Sequence, residues 1–212
     1  MDRILDILAI AVPVIFAITV HEVAHGWVAS RLGDDTAASQ GRLTLNPLKH
    51  VDPIGTVVVP VIMHLAGGPL FGWAKPVPVD FRRLRSPRRD IALVALAGPA
   101  ANLLMLIGWG LVLALTDQLS GASRRFLLDV AEAGIIANTV LMVLNLFPVP
   151  PLDGSRVVAV LLPRRLAVWY VKLERVGLIV VAVLLVTGVL GTLITPPIEA
   201  VLDFVARLAF GN

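Results

Sequence analysis

The chain has 212 residues, 57% of them hydrophobic and 16% charged, with a mean hydropathy of +0.86; so small a charged share, against the ~25% usual in soluble domains, excludes an ordinary soluble globule. The formal net charge of +3 and the isoelectric point near 9.9 do not point to nucleic acid, because the basic residues cluster beside apolar segments, where they set membrane orientation. Cysteine is absent, which excludes disulfides, thiolate nucleophiles and sulfur ligands together and leaves any metal site to His, Asp, Glu or Asn.

Residues 4–32 read as the first long helix, since ~20 apolar residues suffice to cross a bilayer, with Pro13 as a kink site. Asp2 and Asp6 stand beside a single Arg3 at its start and no small-residue cleavage site follows, so it reads as a retained helix rather than a signal peptide. Residues 34–53 are polar and turn-rich, and the alternation in "GRLTLN" suits a short strand or hairpin. Residues 54–66 are apolar but too short for an ordinary span and are interrupted by Pro60 and His64, so they fit a re-entrant or interfacial segment as well as a crossing. A proline- and glycine-rich stretch then ends in Arg82, Arg83, Arg85, Arg88 and Arg89, the strongest cytoplasmic marker in the chain.

The second span covers 91–115, a polar connector 116–125, and the third span 126–147. A second basic stretch with Arg164, Arg165, Lys172 and Arg175 precedes a fourth span over 176–194, and 198–210 read as a short amphipathic terminal helix. The fold class is therefore an all-α polytopic membrane protein with four transmembrane helices, one short re-entrant or spanning segment and a small β-hairpin-like element. With the arginine-rich loop in the cytoplasm, the second span runs outward, the third returns, and the second basic stretch also falls inside. The first helix runs inward if 54–66 dips without crossing.

The first helix carries "HEVAH". His21 and His25 are four apart and share one helical face, and Glu22 flanks it. The HExxH spacing offers two nitrogen ligands for zinc and a carboxylate able to take a proton from a zinc-activated water. A chance match on a solvated helix is the bland reading, but ionisable residues inside an apolar span are costly and mark function. Catalytic zinc takes three protein ligands and an open position. Depth favours Asp153, just past the inner end of the third span; His64 is a rival, His50 and Asp52 lie in a loop where a solvated role fits, and Glu132 sits ~20 Å of helix away from Asn145. Pro148, Pro150 and Pro151 stop the third helix, and such irregular backbone at membrane depth belongs where it is buried or lines a wet cavity. Asn102 and Asn145 can orient a carbonyl or stabilise an oxyanion, or can simply bond helix to helix.

"HEVAH" in a membrane helix, "AGPAAN" opening a later span and "NLFPVPPLDG" closing the next together resemble the site-2 protease family of intramembrane zinc metalloproteases. "GRLTLNPLKHVDPIGT" and "GWAKPVPV" look like the intervening segments of its short bacterial-type members, so the resemblance covers roughly residues 10–160. It implies one integral-membrane metalloprotease domain over 1–212, with a catalytic core of about 4–160 and C-terminal helices over 172–210. It implies one zinc held by His21, His25 and Asp153, Glu22 as catalytic base or acid, and Asn102 and Asn145 near the substrate. It also implies that residues 41–59 include sheet or loop elements that pair with an unwound substrate strand. Ser155 stands where many members have a second glycine, and no PDZ-like or CBS-like module is inserted.

The expected activity is hydrolysis of peptide bonds in or near transmembrane segments of protein or peptide substrates, in the bilayer of a prokaryotic inner or plasma membrane, with the site toward the cytoplasm and no nucleic-acid partner. A membrane metal-binding or metal-transport protein is the alternative, and a non-enzymatic membrane interaction protein a third. Glu22→Gln separates the first two, because it leaves zinc bound but removes hydrolysis. Serine proteolysis is disfavoured, since no serine has a GxSxG setting.

Overall fold

In the computed structural model, which describes residues 2–65, 67 and 72–210, the molecule is built from helices, and no strand occurs among the described residues. They are α1 (Asp2–Arg31), α2 (Thr36–Ser39), α3 (Val59–Leu65), α4 (Pro87–Leu115), α5 (Gly121–Asn145), α6 (Asp153–Leu161), α7 (Arg164–Lys172), α8 (Glu174–Val186) and α9 (Val189–Phe210). Among the described residues, four helical stretches are long and apolar enough to cross a membrane: Ile4–Arg31, Pro87–Gln118, Gly121–Asn145 and Val189–Arg207. These fit a multi-pass membrane protein.

The centre is a three-helix unit in which α1, α4 and α5 pack pairwise. α6 lies on α4, and α9 packs against α4 and α5, closing an apolar core of Leu106, Leu113, Ile135, Met142 and Val205. α4 starts sharply because Pro87 needs no N–H partner in the first turn, while the fully buried Asp90 accepts from Ser86 N (2.7 Å) and from Arg89 Nε (2.9 Å). The carboxylate thus satisfies an orphan donor at the positive end of the helix. That start is held at the level of α1's end by Arg85 N donating to Leu32 O (3.1 Å).

Two expectations are corrected. The "GRLTLN" stretch forms bends rather than a hairpin: Gly41 has φ +61°, Asn46 Oδ1 caps the 3₁₀ turn Pro47–Lys49 through Leu48 N (3.1 Å), and His50 Nε2 occupies Thr44 O (2.9 Å). Local side-chain bonds have taken the place of a ladder. The fourth span is also displaced. Residues 176–194 do not form one helix; α8 ends at Val186, Thr187 Oγ1 bonds back to Val183 O (2.7 Å), and Gly188 takes φ +77°. A glycine in the left-handed region terminates a helix, so the spanning element is α9, which runs on through Pro196 and Pro197 and absorbs the expected terminal helix.

The short apolar segment is a wide π-type turn, Pro53–Val58, continued by α3. Thirteen helical residues reach only ~20 Å, short of the ~30 Å hydrocarbon core.

Candidate metal centre

His21 and His25 come from the C-terminal half of α1, and Asp153 opens α6 directly after the proline turn that follows α5. Their ligand atoms converge. His21 Nε2 lies 3.2 Å and His25 Nε2 3.1 Å from Asp153 Oδ2, and the two Nε2 atoms are 3.1 Å apart. These two His and one Asp side chains form a group that could hold a metal ion.

Hydrogen-bond partners fix the protonation of the pair. His25 Nδ1 faces Val94 O (2.7 Å) and His21 Nδ1 faces Asn102 Oδ1 (2.5 Å); both oxygens are acceptors, so each Nδ1 carries the proton and donates. The orientation of Asn102 is set in turn. Asn138 Nδ2 donates to the carbonyl of Gly134 (2.8 Å), which turns Asn138 Oδ1 toward Asn102 Nδ2 (2.9 Å) and Asn102 Oδ1 toward the imidazole. Asn102 and Asn138 are fully buried, and His21 and His25 are 6% and 9% exposed.

With each Nδ1 donating outward, both Nε2 atoms are turned toward the buried Asp153 Oδ2. When the imidazoles are neutral, three lone pairs meet there, and acceptors this close repel unless a cation lies between them. Zinc fits. A tetrahedron with metal–ligand distances of ~2.0–2.1 Å has edges of ~3.3 Å, close to the three observed separations, and each imidazole has the outer-shell oxygen that ligating histidines require. Gly98 of α4 makes the approach possible, since a Cβ there would stand 2.4 Å from His25 Nε2 and 2.6 Å from His21 Nε2.

Glu22 is half-buried, and its Oε2 accepts from Val77 N (2.8 Å), in the irregular segment that follows residue 72. That segment is itself fastened by Lys75 N to His50 O (2.9 Å) and by Arg42 Nη2 to Lys75 O (3.0 Å).

The remaining sequence candidates fall elsewhere. Asn145 is half-buried and donates to Leu141 O (2.9 Å) within its own helix. Asp52 caps Ile54 and Gly55, whereas His50, expected to be solvated, is 2% exposed and packed on the Thr44 carbonyl. Glu132 lines a groove with Asp6 and Asp129, away from the cluster, and the side chain of His64 lies outside what the structure describes. Sequence reading missed Asn138. Its signal was an amide inside an apolar span, two turns before Asn145 and so on the same face.

Known proteins place this geometry in a family. The chain is 39% identical over 203 residues to the Bacillus subtilis protein named "Putative zinc metalloprotease YwhC", covering 94% of this chain and 90% of that one. It is 34% identical over 178 residues to "Putative zinc metalloprotease Rip2" of Mycolicibacterium smegmatis, covering 83% of this chain and 66% of the relative. A Mycobacterium tuberculosis protein of the same name (strain H37Rv) is 36% identical over 140 residues, which is 65% of this chain and 51% of that protein. No family model and no solved structure matches the chain. With two imidazoles and a carboxylate converging as zinc requires, and with near full-length similarity to YwhC, the chain belongs to the zinc metalloprotease family of YwhC and Rip2.

Proposed function

We propose that the chain is an intramembrane endopeptidase of the site-2 protease type, cleaving membrane-protein substrates within or beside their transmembrane segments. The observation that carries this reading is the convergence of His21, His25 and Asp153 among helices that themselves fit membrane spans. His21 Nε2, His25 Nε2 and Asp153 Oδ2 would hold one zinc. Bound there, zinc supplies Lewis acidity, making a nucleophilic hydroxide available near neutral pH and polarising the scissile carbonyl.

The rest of the work falls to the chain's own groups. Glu22 has one oxygen fixed by Val77 N–H, which leaves Oε1 as the atom that takes the attacking water's proton and returns it to the leaving amine. Asn102 is committed at both ends of its amide and acts on His21 rather than on substrate. Asn145 keeps an N–H and its Oδ1 beyond the bond to Leu141 O, so of the two asparagines it is the one able to meet a substrate carbonyl. The irregular backbone of 74–80 is the element beside Glu22 against which an unwound substrate strand can lie.

Orientation follows from charge. The arginines before and within the first turn of α4 lie near the second basic stretch, because Arg88, Arg164 and Lys172 line one groove. Both clusters sit at the end of the bundle nearer the metal, and the positive-inside rule assigns that end to the cytoplasm. The test is reconstitution of the full chain with candidate transmembrane substrates. Glu22→Gln is expected to retain one zinc per chain and lose at least about 10²-fold in cleavage rate; cleavage at the wild-type rate by that variant would overturn the assignment.

A further inference from the structure

Beside the metal centre, between the start of α4 and helices α6 and α7, lies a groove of about 760 Å³, within the range of sites that hold small molecules (~300–1,000 Å³). Its floor is apolar, including Ile91, Ala159, Val168 and Val171, whereas its charged lining is one-sided: Arg88, Arg156, Arg164 and Lys172 against the single carboxylate of Glu174. Arg156 Nη2 is paired with Glu174 (2.7 Å). Arg88, Arg164 and Lys172 are in no ion pair among the described residues. Three cations therefore face an apolar trough without a counter-charge.

We propose that this groove is a binding site for one anionic phospholipid, its acyl chain along the apolar floor and its phosphate between Arg88, Arg164 and Lys172. Depth fits such an occupant. The ten residues from Arg88 to Gly98, which touches the imidazoles, amount to ~15 Å of helix, which sets Arg88 toward the headgroup level, with Ile91 of the floor about one turn deeper. The neighbouring α7 has the composition of an interfacial helix: Trp169 is 71% exposed, and Lys172 Nζ lies 4.7 Å from its ring centroid.

An acidic polypeptide fits less well. The walls are helices whose backbone groups are satisfied, and the last carbonyls of α6 are taken by Arg88 (Val160 O 2.9 Å, Leu162 O 3.4 Å). A peptide strand would find no backbone partner there, and a lipid chain needs none. The wall also includes Pro150 and Ser155, either side of Asp153, so an occupant braces the turn that carries the ligand.

The test is native mass spectrometry of the full chain released from detergent with equal amounts of phosphatidylglycerol and phosphatidylcholine. One phosphatidylglycerol per chain is expected to be retained in preference by about tenfold or more, at roughly fivefold per basic side chain. The exposed pair Arg164→Glu/Lys172→Glu is expected to abolish the preference, and the charge-preserving pair Arg164→Lys/Lys172→Arg to keep it. Equal retention of the two lipids by the wild type, or a preference that survives charge reversal, overturns the proposal. So does loss of bound phosphatidylglycerol to polyglutamate, which would assign the groove to an acidic polypeptide, or to glycerol 3-phosphate, which would leave the acyl chain no role.

Discussion

At the scale of single residues, the site depends on groups that set the imidazoles as much as on the imidazoles themselves. Asn138 never approaches the ligand atoms, yet its bond to Gly134 O fixes the amide of Asn102 and thereby the proton on His21 Nδ1. Asn138→Ala frees Asn102 to flip and is expected to weaken zinc binding by about 10–100-fold, read by competition with a chromophoric chelator. Gly98→Ala acts sterically: the added methyl would fall 2.4–2.6 Å from the two imidazoles, which cannot yield without spreading their Nε2 atoms. A loss of zinc affinity of similar size is expected, with overpacking of about 1–3 kcal/mol in unfolding experiments. The convergence of these three side chains was legible because HExxH spacing defines a helical face without any knowledge of the fold, and because Asp153 directly follows the end of a span. Asn138 was not assigned its role, since a relay exists only once α1, α4 and α5 are known to meet.

At the scale of elements, hydropathy located α1, α4 and α5 to within a few residues at either end, but it could not say where the apolar C-terminal third breaks. Residues 176–194 and 189–207 are both apolar, and only the backbone at Gly188 decides between them. A Cβ at Gly188 would meet nothing within 4 Å, so Gly188→Ala isolates the strain of a left-handed turn. It is expected to lower stability by about 1–2 kcal/mol, measured as a shift of the unfolding midpoint in detergent, with zinc affinity unchanged. α8 has a different influence. Gly177 lies against the proline turn, where a Cβ would stand 2.1 Å from Pro150 O, and Tyr170 Oη of α7 donates to Pro148 O (2.7 Å). The helices after residue 160 thus brace the segment that presents Asp153. Gly177→Val should push that turn out of register and lower zinc affinity several-fold, although residue 177 is remote from the ligands in sequence; wild-type affinity in this variant would show that the turn holds itself.

At the scale of the whole molecule, zinc would join parts of the chain that the fold otherwise brings together indirectly: α1 supplies two ligands, while the third opens α6, which packs on α4 and α7. A ligand bound only by the folded state stabilises it by RT ln(1 + [L]/Kd), ~2.7 kcal/mol at a hundredfold excess over Kd. That term is comparable to the largest single-residue effects expected above. Removing the metal takes away this binding term and leaves the three ligand atoms, 3.1–3.2 Å apart, to be reconciled by a proton alone. Chelation is therefore expected to lower the thermal midpoint of the wild-type chain, and added zinc to restore it. The control decides the cause. In Asp153→Ala a ligand is missing, so this variant should begin less stable than the zinc-loaded protein and respond little to chelator. An equal chelator response in the two proteins would mean that the metal is held elsewhere, and the cluster of His21, His25 and Asp153 would then be no metal centre.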